Sequence, residues 1–108
     1  MRTFKNGATR DDNTNKLEYS HFLSPEVLQS FANYMHKHRI QADGKLRAPN
    51  NWKQGIPTDA YMSSLWRHLH DLWLHHEKRP DLARESKEDA LNGILFNAMG
   101  YLYEELKK

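Results

Sequence analysis

Three stretches of this chain carry apolar side chains at the three-to-four-residue spacing of an amphipathic α-helix, and this pattern constrains the fold most. The first stretch is predicted to span residues 25–40, the second about 58–76, and the third about 86 to the end. A chain of 108 residues has the size of one domain. We therefore predict an all-α fold, a small three-helix bundle that forms a single domain over residues 1–108.

Cap residues and helix breakers set the predicted ends of these helices. Ser24 precedes Pro25, the arrangement of an N-cap and a first-turn proline, and Ser86 opens a capping-box variant with Asp89 in the acidic place. Residues 1–23 are predicted to form an extended N-terminal arm. The stretch between the first two helices contains glycine and proline and is predicted to be a long loop. Because long ordered loops are usually functional, this loop is a candidate wall of a site.

The apolar and aromatic side chains are too numerous for the core of one thin bundle. The predicted apolar faces comprise Val27, Leu28, Phe31 and Met35, then Tyr61, Leu65, Leu69, Leu72 and His76, then Leu91, Ile94, Leu95, Ala98, Leu102 and Leu106. The large aromatic residues that compete for the remaining space are Trp66, Trp73, Phe96, Tyr101 and Tyr103. This excess of apolar surface favours a symmetric homo-oligomer.

The composition disfavours several classes of protein. The chain has no cysteine, which removes disulfides, thiolate catalysis and cysteine-bound zinc and is typical of a cytoplasmic protein. Hydrophobic residues make up 38% of the chain, and no apolar run approaches the length of a membrane span. The first ten residues contain no apolar segment typical of an export signal. We therefore expect a soluble cytoplasmic protein without a membrane partner.

Positive charge is concentrated in the predicted loop and at its edges. The formal net charge is only +2. Between residues 37 and 53, however, the one acid is Asp43 and the basic residues are Lys37, Arg39, Lys45, Arg47 and Lys53. A local patch of this kind suits a few phosphates better than a long nucleic-acid duplex.

Residues 47–55 form the first candidate site. Trp52 offers a plane on which a base can stack, and Asn50 and Asn51 can read base edges. The same residues are also typical of plain loop structure, in which the tryptophan fills the space beneath the loop and the asparagines form turns. The pattern leaves both interpretations open.

The second predicted helix carries the densest group of polar side chains. His68, Asp71 and His75 fall on one helical face, an arrangement that could ligate a divalent metal. Arg67 and His68 could instead contact phosphate, which is the interpretation we favour over a metal site. A solvated helix face with locally hydrogen-bonded histidines is the third interpretation.

The acidic residues of the third predicted helix are relevant to whether this chain could be a hydrolase. All-helical phosphate-ester hydrolases hold Mg²⁺ with several carboxylates. If this chain is such an enzyme, its candidate Mg²⁺ ligands are Asp71, Glu88 and Asp89, but a second acidic pair on another helix is missing. We therefore predict no catalytic residues and no metal cofactor. Gly93 and Gly100 allow close approach of a neighbouring helix, and a buried Asn97 would need hydrogen-bond partners.

Several short motifs follow one another in a characteristic order. They are Gly7-Ala8-Thr9-Arg10-Asp11, Lys16-Leu17, Leu23-Ser24-Pro25-Glu26-Val27-Leu28, Asn51-Trp52-Lys53-Gln54-Gly55-Ile56-Pro57, Leu65-Trp66-Arg67-His68-Leu69, and Asp89-Ala90-Leu91 with Asn97-Ala98. In this order they resemble a small bacteriophage family described as dATP/dGTP diphosphohydrolase-like, over roughly residues 7–105. The resemblance implies a nucleotide ligand and a viral protein in the host cytoplasm. Two histidines of the family's last helix are replaced here by Ala90 and Gly93, which implies binding without the family's chemistry.

Two hypotheses about function follow. The favoured one is a phage protein that sequesters a nucleotide without hydrolysis, such as a cyclic nucleotide or ADP-ribose-type signal of host anti-phage defence. The alternative is a Mg²⁺-dependent dATP/dGTP diphosphohydrolase. Nucleic-acid binding is disfavoured because no helix-turn-helix signature is present. The expected ligand-binding residues, near a subunit interface, are Arg10, Lys16, Arg47, Asn50, Asn51, Trp52, Tyr61, Arg67 and His68.

Overall fold

The computed structural model describes residues 2–12 and 14–108, and within them the chain is mostly helical. The helices are α1 (Tyr19–Phe22), α2 (Pro25–Lys37), α3 (Thr58–His76) and α4 (Lys87–Leu106). Two strands, β1 (Arg2–Thr3) and β2 (Thr9–Arg10), form a small antiparallel sheet, and two single 3₁₀ turns span Asn51–Gln54 and Pro80–Leu82. The three predicted helices are confirmed, and α1 is an addition to them.

The caps inferred from sequence are the ones that begin α2 and α4. The Ser24 hydroxyl accepts the backbone N–H of Val27, and the Ser86 hydroxyl accepts the backbone N–H of Asp89. Each serine thereby satisfies one of the free N–H groups at a helix start. α2 is shorter than predicted because the chain turns at His38 and enters a bridge to a later segment.

The helical hairpin of α3 and α4 is the centre of the molecule. The ring of Tyr61 lies against Gly100 and the ring of His68 lies against Gly93, so the two helices run antiparallel. A Cβ atom at either glycine would overlap the ring that faces it. The two glycines therefore allow the close approach that the sequence predicted.

α2 is tied to α4 mainly by polar contacts. The Ser30 hydroxyl donates to Glu88 at 2.6 Å and accepts the Asn92 side-chain amide at 2.9 Å, while the Lys37 ammonium meets Asp89 at 2.6 Å. Much of the predicted apolar face of this helix is solvent-exposed, as Leu28 shows.

The segments outside the hairpin contain more structure than predicted. In the N-terminal arm, Phe4 donates its N–H to the Ala8 carbonyl, and Gly7 takes the positive φ of 85° that the turn requires. Met1 and Asn13, which belong to the predicted arm, lie outside the described residues. In the predicted loop, Ile40 pairs with Leu46 in an antiparallel bridge.

The buried core is small. Among the described residues, the buried apolar side chains are Tyr34, Tyr61 and Ala90, and the buried polar ones are Asp71, Asn92 and Asn97. Within residues 2–12 and 14–108, no helix has both the length and the apolar character needed to cross a membrane.

Candidate functional site

A cavity of about 380 Å³ lies between α2, the 39–56 connection, α3 and α4. Its basic and imidazole side chains are His38, Arg39, Arg47 and His68; its aromatic side chains are Tyr34, Trp52 and Phe96; its amide side chains are Asn51 and Asn97. A volume of this size falls within the range of small-molecule sites, which combine apolar walls with a few placed polar groups.

The turn at residues 39–47 brings the two arginines of the cavity together. The backbone N–H of Arg47 donates to the Arg39 carbonyl, and the Arg39 Nε donates to the Arg47 carbonyl, both at 2.8 Å. Gly44 closes the turn with a φ of 81°. Over the part of the chain that the structure describes, the Arg47 guanidinium has neither a carboxylate nor a hydrogen-bond partner. It is thus available to an anion in the cavity.

Trp52 is fixed by the aromatic side chains of α4. Its ring meets Phe96 and Tyr103 edge-on, with centroid distances of 6.1 Å and 5.0 Å. The Tyr61 hydroxyl donates to the Trp52 carbonyl at 3.5 Å from beneath. Trp52 is half-buried, so it both packs against the hairpin and lines the cavity. The two interpretations of this residue are therefore compatible.

His68 lies on α3 and lines the cavity, and its ring is held in place by contacts outside the cavity. Its Nδ1 contacts the Glu85 carboxylate, which lies in the connection before α4. The His75 Nε2 meets the backbone carbonyl of Glu85 at 2.7 Å. Since Gly93 leaves room for the imidazole, α4 also defines where the ring lies.

Asp71 is almost completely buried behind His68. Its carboxylate accepts the backbone N–H of Arg84 at 3.1 Å and the Arg84 guanidinium at 2.9 Å and 2.5 Å. Burial opposes ionisation of Asp71, but the hydrogen bonds and charge of Arg84 outweigh it, so the pKa of Asp71 lies below its ordinary value.

One group of side chains has the spacing of a metal site. Oxygen and nitrogen atoms of His68, Asp71 and Glu85 lie within 4.8 Å of one another. Both Asp71 oxygens already accept hydrogen bonds from Arg84, and the Glu85 carboxylate contacts His68. A guanidinium thus supplies the positive charge beside these acids, and the donor set does not suit the oxygen-rich shell of Mg²⁺.

The alternative Mg²⁺ ligands are not gathered into one site. Glu88 accepts the Ser30 hydroxyl and Asp89 pairs with Lys37, whereas the grouping of Asp71 is with His68 and Glu85. The structure therefore gives the hydrolase hypothesis no assembled Mg²⁺ centre among these three predicted ligands.

The structure brings together part of the predicted ligand-binding set. Arg47, Asn51, Trp52 and His68 line the cavity. Tyr61 is buried beneath it with an exposed fraction of 2%, and burial raises the pKa of its hydroxyl. It supports the site rather than lining it.

The other predicted residues lie elsewhere. Asn50 lines a neighbouring groove of about 540 Å³ together with Lys53. Arg67 is exposed and donates to the Ser63 hydroxyl at 2.8 Å. Arg10 and Lys16 are exposed in the N-terminal arm and are not among the residues that line the cavity.

The cavity residues that were not predicted include Tyr34, His38, Arg39 and Asn97. Arg39 belonged to the recognised basic patch and Asn97 to the polar face of the third helix, so a signal existed for both. Tyr34 and His38 are one helical turn apart, with ring centroids 4.4 Å apart. Burial and the neighbouring Lys37 charge lower the pKa of His38, which favours its neutral form.

Comparison of the chain with protein-family models, with curated proteins and with solved structures finds no match. The resemblance to the phage family therefore stays a prediction.

Proposed function

We propose that this protein binds a nucleotide-class ligand in the cavity between α2, α3 and α4 and sequesters it without hydrolysis. The observation that supports this most is that Arg39 and Arg47, which are joined by hydrogen bonds to backbone carbonyls, line the same cavity as Trp52. Guanidinium groups recognise phosphate through two parallel hydrogen bonds, and an indole ring stacks on a base.

The charge distribution of the cavity supports an anionic ligand. The side chain of Arg47 has no acidic partner within the described ranges, and Arg39 is bound to a backbone carbonyl and to the His36 ring. The acids behind the cavity are already neutralised, Asp71 by Arg84 and Asp89 by Lys37. A phosphate in the cavity therefore meets the positive charge of Arg47, while the remaining acid behind the cavity, Glu85, contacts His68 and lies 3.9 Å from the Arg84 guanidinium.

The amide side chains support recognition of a base. Asn51 and Trp52 are neighbours in one 3₁₀ turn, and both line the cavity, as does Asn97 of α4. The Asn97 side-chain amide donates to the Gly93 carbonyl at 2.7 Å, which orients its carbonyl oxygen as an acceptor. An acceptor of this kind suits an exocyclic amino group such as that of adenine.

The biological role that we propose rests on the phage resemblance. A phage protein that removes a cyclic nucleotide or an ADP-ribose-type signal from the host cytoplasm would block a defence pathway that depends on it. The sequestering form is an assembly of several copies of this chain, with the cavity near a subunit interface.

The test is a stoichiometric binding experiment with dNTPs, cyclic dinucleotides and cyclic ADP-ribose isomers, in the presence of Mg²⁺. We expect one class to disappear from the free pool and to return intact after the protein is heated. Arg47→Ala is expected to weaken binding about 10- to 100-fold, the value of one or two hydrogen bonds to a charged group.

Arg79→Ala is the matched control, because Arg79 is exposed and pairs with Asp81 outside the cavity. It is expected to leave the affinity unchanged. Conversion of a dNTP to its monophosphate over many turnovers would show the hydrolase instead. Failure of the folded protein to bind any of these nucleotides would show that the proposed ligand class is wrong.

A further inference from the structure

The single chain exposes far more surface than a folded monomer of its mass. Its accessible surface is 8653 Å², whereas a monomer of 12.8 kDa is expected to expose roughly 6,300 Å². Its radius of gyration is 19.1 Å, against about 13 Å for a compact domain of this length. The excess area of roughly 2,400 Å² is of the size that one subunit contributes to an obligate homodimer.

Part of this surface is a continuous apolar stripe on α3. Its members are Met62, Trp66, Leu69 and Trp73, which are between 42% and 65% exposed. Their spacing of four, three and four residues is that of a coiled-coil seam. The side chains that face α4, such as Tyr61 and His68, lie on a different side of the helix.

The stripe contains a groove that an apolar side chain of a partner can fill. A groove of about 430 Å³ on α3 is lined by Trp66, Leu69, Leu72 and Trp73 and by the imidazoles of His70 and His76. Exposed tryptophans beside an apolar groove are the typical centre of a protein interface.

We propose that this stripe is the interface of a homodimer in which α3 packs antiparallel against α3 of a second copy. In an isologous antiparallel pairing, Met62 of each copy faces Trp73 of the other, and Trp66 faces Leu69. Two hairpins joined in this way bury the apolar stripes of both copies against each other and add apolar contacts that the small core of one chain lacks.

The ends of the stripe select the antiparallel orientation. Asp59 precedes Met62 and His76 follows Trp73 at the same seam spacing, and both are exposed. The antiparallel arrangement places the Asp59 carboxylate of one copy opposite the His76 imidazole of the other. A parallel arrangement would instead place Asp59 against Asp59, and like charges facing each other are unfavourable.

The dimer leaves the cavity accessible. Ser64 and His68 line the cavity, whereas the seam residues Trp66 and Trp73 do not. One helix thus carries the ligand site on one side and the dimer interface on another. The dimer proposal therefore does not depend on the ligand.

The first test is the mass of the native chain by light scattering during gel filtration. We expect twice the single-chain mass of 12.8 kDa.

Leu69→Glu is expected to raise the dimer dissociation constant by more than about 100-fold, since it introduces a charge into the centre of the seam. Leu102→Glu is the matched control, because Leu102 is an exposed leucine of α4 and lies outside the seam. A helical wild-type monomer would overturn the proposal, and so would dissociation by Leu102→Glu but not by Leu69→Glu.

A cross-linking experiment tests the orientation of the two copies directly. The chain has no cysteine, so Met62→Cys and Trp73→Cys each introduce a unique thiol. An oxidised mixture of the two variants is expected to give mainly the mixed disulfide between them. Predominant pairing of the Met62→Cys chain with itself would overturn the antiparallel arrangement.

Discussion

Arg84 donates three hydrogen bonds to the carboxylate of Asp71, one from its backbone N–H and two from its guanidinium. Asp71 is 1% exposed and lies on α3, whereas Arg84 lies in the connection that leads to α4. The pair thus fastens this connection to α3 and places the next residue, Glu85, against His68. The position of an imidazole in the candidate ligand cavity depends on a salt bridge outside it.

Removal of Arg84 is therefore expected to destabilise the fold. Arg84→Ala leaves the buried Asp71 carboxylate without its partner, which costs about 1–3 kcal/mol of the free energy of unfolding. The measurement is urea unfolding followed by far-UV circular dichroism. Arg79→Ala removes an exposed pair with Asp81 and is expected to cost less than about 0.5 kcal/mol. Equal effects of the two substitutions would contradict this role of Arg84.

The same salt bridge predicts how stability depends on pH. Arg84 lowers the folded-state pKa of Asp71 below the ordinary value of 3.8. The unfolded chain therefore binds the proton first, and the stabilisation is present above pH 3.8 and lost as the pH falls through the folded-state pKa.

The urea midpoints of the native chain and of Asp71→Asn test this dependence between pH 7 and pH 2.5. We expect the difference between the two proteins to shrink below pH 3.8, where the native carboxylate takes up its proton. A difference that stays constant over this range would mean that the charge of Asp71 does not contribute to stability.

The sequence predicted the helices well because their signals are local. Ser24 and Ser86 cap the helices that follow them, and the apolar period marks where α3 and α4 run. The turn around the Ile40–Leu46 bridge was missed, since a single bridge produces no periodic pattern. The partners of individual side chains depend on distant residues and cannot be read from spacing.

The candidate cavity was predicted in part for the same reason. Arg47 and Trp52 stood out as a base and an aromatic side chain in one loop, and both line the cavity. The contact of Glu85 with His68 depends on how the connection before α4 folds back, which no local sequence pattern shows. The exposed apolar stripe of α3 follows the helical period as a buried stripe does, so periodicity alone does not show what covers it.

Because Tyr61 contacts Gly100, we expect Gly100→Ala to lower the stability of the fold, whereas glycine-to-alanine exchange in a helix usually raises it. Alanine has the higher helix propensity by about 1 kcal/mol, so Gly100→Ala would stabilise an unobstructed helix. Here the added Cβ meets the Tyr61 ring, and overpacking of this kind costs about 1–3 kcal/mol. We expect a net loss of stability in urea unfolding.

Ala98→Gly provides the reference for helix propensity, because Ala98 is exposed on α4. It is expected to cost about 1 kcal/mol, so both directions of exchange between glycine and alanine should destabilise the same helix. A stabilising Gly100→Ala would show that α3 and α4 can separate at this contact.

Tyr34 predicts a distinct ionisation at high pH. Burial of its hydroxyl, followed by the negative charges of Glu85 and Asp89, raises the pKa of Tyr34 to about 12 from the ordinary 10.0. Absorbance near 295 nm should therefore show tyrosine that ionises well after the exposed residues. Burial also raises the pKa of Tyr61, so Tyr34→Phe should reduce the amplitude of this late step and leave the contribution of Tyr61. Because the folded-state pKa is the higher one, the stabilisation is complete below pH 10.0 and is lost as the pH rises towards 12.

Tyr19→Phe serves as the control, since Tyr19 is 68% exposed and should contribute only to the early part of the titration. A late step of unchanged amplitude in Tyr34→Phe would contradict the raised pKa of Tyr34 and the burial of its hydroxyl.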